Sequence, residues 1–239
     1  MNNAELYHRS NTVQKRDSLQ CLEEYGKRIK WKTGRITVID IGCGDGSVMI
    51  DILKKIIPNN CEKLVGCDKS EKMIKYANEH YANDHTSFMV LDIEVIPKFK
   101  GECFLVFVAH TLLFEGYRIL SRSTRWKFWL IDVERFISPY HDCQDPEKKV
   151  KQMMKSIGFT SVEVECFHKS HIFNEFLLFS GFVTSINPFQ IPKDLEEDYL
   201  LDLFNVLRDL RIIDCASSNV DGPIKATLNH SLIVAKGRK

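Results

Sequence analysis

Val38-Ile39-Asp40-Ile41-Gly42-Cys43-Gly44-Asp45-Gly46-Ser47 is the stretch on which the fold of this chain turns. Val38, Ile39 and Ile41 form an apolar run that reads as a buried strand. Gly42, Gly44 and Gly46 follow, with backbone able to turn sharply and to let a ligand come close. Val48, Ile52, Leu53, Ile56 and Ile57 then recur at helical spacing until Pro58, which predicts a helix after the turn. Strand, glycine turn and helix N-terminus make a nucleotide-type cradle, with free amide N–H groups expected to face the ligand.

Asp40, two residues before the first glycine, narrows the ligand class. A dinucleotide fold uses G-x-G-x-x-G to bring backbone against an anionic pyrophosphate. Here the pattern is D-x-G-x-G-x-G, with carboxylates at Asp40 and Asp45 on both sides of the turn. Two negative charges repel a pyrophosphate but suit ammonium and sulfonium groups, which points to S-adenosylmethionine. Lys63–Asp68 reads as a second short strand ending in an acid placed to accept from ribose hydroxyls. A helix from Glu71 to about His80, capped by Ser70, is predicted next. Ser87–Asp92 reads as a third strand, whose terminal acid would accept from an adenine amino group. Any one acid alone also has a lesser reading as a helix cap or turn residue. Asp40, Asp68 and Asp92 along one carboxyl-end edge of a parallel sheet read as a site.

Composition narrows the setting. The 239 residues are 44% apolar, enough to fill a substantial core, and carry a formal charge of only +1. That charge leaves no electrostatic footprint for nucleic acid. The eight cysteines are scattered with no C-x-x-C spacing, which argues against a zinc site or a disulfide scaffold and for a reducing cytoplasm. Met1–Ser10 has no apolar segment of signal-peptide type, and the apolar run from Cys103 to Phe114 is too short for a membrane span.

Gly101–Ala109, apolar from Cys103 onward, is predicted as a central parallel strand, with His110 as a strand-end histidine. An aromatic-rich stretch follows, with Phe114, Tyr117, Trp126, Phe128, Trp129, Phe136 and Tyr140. Beyond it we expect a helix from Asp145-Pro146 to Gly158, a strand over 162–167, helices near 174–186 and 194–212, and a strand over 229–235. Helices between strands mean an α/β fold with a mostly parallel sheet. The surplus apolar surface of the aromatic stretch and last helix reads either as ordinary core or as a lid over an apolar substrate.

Asn11-Thr12-Val13-Gln14-Lys15-Arg16-Asp17, the glycine turn, Leu64–Asp68, Arg135–Asp142, Asp145-Pro146-Glu147-Lys148 and Ile186-Asn187-Pro188-Phe189 together resemble the insect juvenile hormone acid methyltransferases. The similarity runs along nearly the whole chain. It implies a class I methyltransferase with a Rossmann-like, doubly wound, mostly parallel sheet and an aromatic-rich helical cap. The whole chain, 1–239, would form one methyltransferase domain. Residues 1–34 would be a helical segment over the site, 35–94 the cofactor-binding half and 101–239 the substrate-side half. The implied reaction moves a methyl group from S-adenosylmethionine to the carboxylate of farnesoic or juvenile hormone acid. Such an acid, with a pKa of about 4.3, is already ionised at neutral pH and needs no general base. The resemblance makes Gln14 the catalytic residue, its amide orienting one carboxylate oxygen. It assigns the cofactor to Asp40, Gly42, Cys43, Gly44, Gly46, Asp68, Asp92 and Ile93, and the substrate pocket to Gln14, Trp126, Trp129 and Tyr140. No metal is expected, the partner is a small apolar carboxylic acid, and a homodimer is left open.

The chain also departs from that pattern. Between Asp92 and Gly101 it has about eight residues where family members carry several tens, including a central strand and a His-Trp pair. A right-handed crossover between parallel strands needs about a dozen residues or more. The expected accommodation is that Cys103–Ala109 moves in beside the first strand. The other outcome is a gap that leaves the domain unstable or in need of a partner. Two other readings stay open: a non-catalytic relative that binds cofactor or an apolar ligand, and a nicotinamide-dependent oxidoreductase.

Overall fold

The computed structural model describes residues 3–92, 101–215 and 224–239. The chain forms two compact units, Met1–Phe104 with Arg238–Lys239, and Leu105–Gly237.

The first unit opens with α1 (Ala4–Ser10) and α2 (Thr12–Tyr25). It continues with β1 (Ile36–Ile41), a π-helical turn (Met49–Leu53) leading into α3 (Lys54–Ile56), β2 (Cys61–Asp68), α4 (Glu71–Tyr81) and β3 (Thr86–Val90). The strands form a three-stranded sheet in the order β1-β2-β3, parallel throughout. Val38 pairs with Leu64 and Leu64 with Thr86, so alternate residues share one face. On that face Leu64 and Phe88 pack with Cys43, Met49, Ile74 and Ala77 into a closed core. The Asn78 amide, in α4, donates to the Phe88 carbonyl at 3.1 Å and ties helix to strand. Ser70 caps α4 through the Met73 amide, as its position predicts. The opposite face is apolar but open: Ile39, Ile41 and Met89 are 44–48% exposed.

The helix after the glycine turn differs from the expected α-helix, because its first full turn is π-helical, a form that recurs at functional sites. It ends at Ile56, and Ile57 is extended as the residue before Pro58 should be.

The second unit contains most of β4 (Glu102–Thr111), then α5 (Leu112–Ser121), a 3-10 turn (Val133–Phe136), α6 (Pro146–Ser156), β5 (Thr160–Phe173), α7 (Phe176–Ile186), α8 (Glu196–Asp209), β6 (Ile213–Cys215) and β7 (Ile224–Arg238). Asp145 caps α6 by accepting from the Lys148 amide at 2.9 Å, with Pro146 at the first helical position. The sheet order is β4-β7-β5, with β6 antiparallel to β7. Ala109, Val150, Met154, Val162, Ile233 and Ala235 form its core. Gly116 lets α5 approach α8, because a Cβ there would lie 2.9 Å from Leu207.

Among the described residues β4 pairs with β7 and stands at the end of the second unit's sheet, where a central strand was expected.

Candidate functional site

The glycine turn carries positive φ at Gly42 (80°), Gly44 (56°) and Gly46 (81°), a backbone that only glycine adopts without strain. Each glycine has its own surroundings. A Cβ on Gly46 would lie 2.8 Å from the Phe88 ring, and one on Gly44 3.2 Å from the Tyr7 ring. A Cβ on Gly42 would meet nothing within 4 Å, so this side of the turn is open to a ligand.

The expectation of free amides is corrected. The Gly42 and Cys43 amides donate to the Cys67 carbonyl at 2.7 and 2.9 Å, and Gly46 donates to Cys43 at 3.0 Å. The Gly44 amide donates to Asp68 Oδ2 at 3.0 Å, and the Ser47 amide to Asp45 Oδ1 at 3.1 Å. With these five donors used inside the protein, the turn has little left with which to form an anion nest. It offers carboxylates instead.

Asp40 and Asp68 stand at the ends of β1 and β2. Burial, reinforced by the negative charge of Asp68, pushes the Asp40 carboxyl up to about 6. A cationic ligand beside the pair removes that penalty. Asp68 is buried and uses one oxygen for the Gly44 amide and the other for the Ser70 amide, at 3.0 and 2.9 Å. Each carboxylate oxygen keeps a further lone pair, so a ligand hydroxyl can still donate to it. Asp92 lies two residues beyond the end of β3 and is exposed. Ile93 lies outside the described residues. Burial pushes the Cys43 thiol upward, with Asp40 and Asp68 adding to it, so Cys43 stays a neutral packing group.

The N-terminal helices are strapped to this turn. His8 Nδ1 meets Asp45 Oδ2 at 2.7 Å, the Asn11 amide donates to Ser47 Oγ at 2.8 Å, and Lys15 pairs with Asp51 at 2.8 Å. Asp45 and Ser47 are fully buried, which makes these contacts internal. The strap brings Tyr7 onto Gly44, where burial and then Asp45, Asp68 and Asp40 keep its phenol protonated well above the usual range. It also carries Gln14, half-buried in the first turn of α2, whose Oε1 is buried with no hydrogen-bond partner. That oxygen is an acceptor, so it calls for a donor, whereas a carboxylate ligand would need the NH2 of the same amide. Tyr7, His8 and Asn11 were missed by sequence reasoning: an Asn or His at a helix end carries no signal of a contact 36 or 37 residues away.

In the second unit, Trp126 is 1% exposed, edge-on to Tyr199 and bonded to Asp202 at 2.7 Å, which places it in the core. Trp129 is 42% exposed. Tyr140 is half-buried against Phe107 at 5.4 Å. The three do not converge on one cavity wall. His110 stacks on His141 at 4.4 Å, and His141 Nε2 meets Glu115 at 2.9 Å. Glu115, His141 and Asp142 bring ligand-type atoms within 4.8 Å of one another. Arg118, however, already bonds both acids at 2.9 and 2.8 Å, so a cation would compete with a guanidinium.

A methyltransferase domain model matches residues 38–125, the stretch from the glycine turn through β4 and α5. The juvenile hormone acid O-methyltransferase of Bombyx mori is 42% identical over 273 aligned positions, covering all of this chain and 98% of that protein. The chain belongs to the juvenile hormone acid O-methyltransferase family. The Drosophila melanogaster member is 29% identical, over all of this chain and 93% of that protein. The Bombyx alignment, at 273 positions, is 34 longer than the 239 residues here, so the shorter chain gains gaps inside its length. Among solved structures, the YcgJ protein of Bacillus subtilis has the same fold (TM-score 0.51, 14% identity, covering 92% of this chain and 98% of that one).

Proposed function

We propose that this chain transfers the methyl group of S-adenosylmethionine to the carboxylate of a sesquiterpenoid acid of the farnesoic or juvenile hormone acid type. The observation that carries the reading is the turn itself. The amides of Gly42, Cys43, Gly44, Gly46 and Ser47 are bonded within the protein, the Cβ side of Gly42 is open, and Asp40 is held desolvated beside Asp68, which suits a cationic nucleoside better than a pyrophosphate. That chemistry also removes the support for a nicotinamide-dependent oxidoreductase. When bound, S-adenosylmethionine supplies an electrophilic methyl group on sulfur.

The protein's part is holding and drying. Asp40 compensates the ligand's positive charge, and Asp68 accepts from ribose hydroxyls with its remaining lone pairs. Gly42, Cys43, Gly44 and Gly46 let the backbone come close, and Asp92 is assigned to the adenine end. Gln14 donates its amide to one oxygen of the acid and leaves the other to attack. A neutral donor orients the nucleophile without quenching its charge, as a salt bridge would. Tyr140 remains assigned to the acid's apolar chain. No described helix is long and apolar enough to cross a membrane, and we place the chain in the cytoplasm.

A second reading is favoured by the 34 aligned positions beyond the 239 residues here: a cofactor-binding relative without turnover. Calorimetric titration with S-adenosylhomocysteine, followed by a farnesoic acid methylation assay, separates the two. Binding with methyl ester formation supports the enzyme, and binding without it supports the relative. No binding removes both. In the active case Gln14→Ala should cut turnover and leave S-adenosylhomocysteine affinity unchanged.

A further inference from the structure

We infer that the Tyr7 hydroxyl is the donor that receives the α-carboxylate at the methionyl end of the cofactor, an inference that rests on the cofactor reading proposed above. It starts from a count of donors. Asp40 compensates the ligand's positive charge, and in an α-amino acid the ammonium and the carboxylate hang on one carbon. Wherever the ammonium meets Asp40, a carboxylate follows within a few bonds and needs donors of its own. The turn has few to give, because the amides of Gly42, Cys43, Gly44, Gly46 and Ser47 are bonded within the protein. On the strap above it, His8 is engaged by Asp45, Asn11 by Ser47 and Lys15 by Asp51.

Tyr7 has a donor to spare. A Cβ on Gly44 would meet two of its ring carbons at 3.2 and 3.5 Å and its hydroxyl oxygen at 3.4 Å, so the hydroxyl as well as the ring stands at the turn. Among the described residues that hydroxyl has no hydrogen-bond partner, although Tyr7 is only 8% exposed. Packing on Gly44 needs only the ring. A phenylalanine would provide it without the cost of an unpaired hydroxyl in a nearly closed place. Burial first, and then the charges of Asp45, Asp68 and Asp40, hold the phenol protonated, so it donates at any working pH. The same charges put the phenol in the field of the carboxylate assigned to the ammonium. A neutral donor suits this position. A lysine or arginine here would pair with the three aspartates and compete with the ligand's ammonium for them.

The test is calorimetric titration of the full chain and of Tyr7→Phe with two ligands. One is S-adenosylhomocysteine. The other is its decarboxylated form, which keeps the ammonium, thioether, ribose and adenine. The parent should bind the intact ligand about tenfold or more tighter than the decarboxylated one. Tyr7→Phe should weaken the intact ligand about tenfold and leave the decarboxylated one within about twofold. Its thermal melt without ligand should match or exceed the parent's, since the hydroxyl has no protein partner to lose. Asp40→Asn should weaken both ligands, because both carry the ammonium. A Tyr7→Phe variant that keeps the parent's preference, or that weakens both ligands equally, overturns the inference and leaves the cofactor reading standing. So does a parent that binds the two ligands equally. A parent that binds neither removes the cofactor reading, and this inference with it.

Discussion

In the first unit β1 and β2 of a parallel sheet bring their carboxyl ends to one glycine turn, whereas the second unit builds its sheet from strands of up to 15 residues, with β6 antiparallel to β7. Parallel strands joined by helices gather their C-terminal ends, and with them any acids those ends carry. The second unit spends its residues on packing, with aromatic pairs such as Trp126–Tyr199 and Tyr117–Phe189 at 5.3 and 5.1 Å. Each unit also ends in an apolar strand with one partner among the described residues. Ile39 and Ile41 on β1 are 47% and 44% exposed, and Val106 and Val108 on β4 are 38% and 37%. Chemistry and structural cost are therefore distributed differently. The first unit holds a complete turn, and both units carry edge strands of the kind that proteins usually cover.

The largest test of this contrast is a matched pair of core truncations. Phe88 fills the space beneath Gly46 and Gly66, and Phe88→Ala should cost about 3–5 kcal/mol and abolish S-adenosylhomocysteine binding. Ile233, fully buried in the second unit, should cost about 1–4 kcal/mol as Ile233→Ala and leave that affinity within about twofold. Thermal melts with and without ligand measure both. Equal loss of affinity in the two variants would mean that the binding site depends on both cores.

What was legible in the sequence divides along the same line. The glycine turn, β1 to β3 and the Ser70 and Asp145 caps are local signals, each decided within a few residues, and they read correctly as elements. The fate of Cys103–Ala109 was not legible, because an apolar run says that a strand is buried and not which neighbour it pairs with. Likewise, the free amides expected at the turn were consumed by Cys67 and Asp68, 24 residues or so along the chain. Hydrogen bonds at that range leave no trace in periodicity. Trp126 and Trp129 look alike in sequence, yet one is an anchor and the other faces outward, since an irregular turn has no period to tell them apart.

The next effect is a pH dependence confined to the first unit. The Asp40 carboxyl is raised from 3.8 to about 6 in the folded chain, so between those values the native state holds a proton that the unfolded state has lost. Stability from this group is therefore full at low pH and falls as pH rises from about 4 to 6, by up to about 3 kcal/mol. Affinity for S-adenosylmethionine runs the other way and should rise across the same window as the carboxylate ionises. Asp40→Asn should flatten the stability profile, stabilise the ligand-free chain at neutral pH and weaken binding. A profile of melting temperature against pH that is identical in parent and variant would remove Asp40 from this role.

Next in size is Gly42→Ala. Its φ of 80° should cost about 1–2 kcal/mol of backbone strain, and the added methyl would meet no protein atom within 4 Å. Any loss of S-adenosylhomocysteine affinity beyond that strain reports the ligand's approach to this position.

The smallest expected effect probes the strap. Asn11 is buried and its amide donates to Ser47 Oγ, which itself donates to Asp45 at 2.8 Å. Asn11→Ala removes one donor and leaves the Asp45 contacts to Ser47 and His8 in place, so stability should fall by only about 1 kcal/mol. Kinetics should show more. If α1 and α2 lie across the ligand's path to the turn, loosening one of their ties should speed association and dissociation of S-adenosylhomocysteine together, with the equilibrium constant nearly unchanged. Stopped-flow rates equal to the parent's would place the path elsewhere and leave Asn11 as a packing residue. A slower association with unchanged dissociation would instead mean that the strap builds the site rather than covers it.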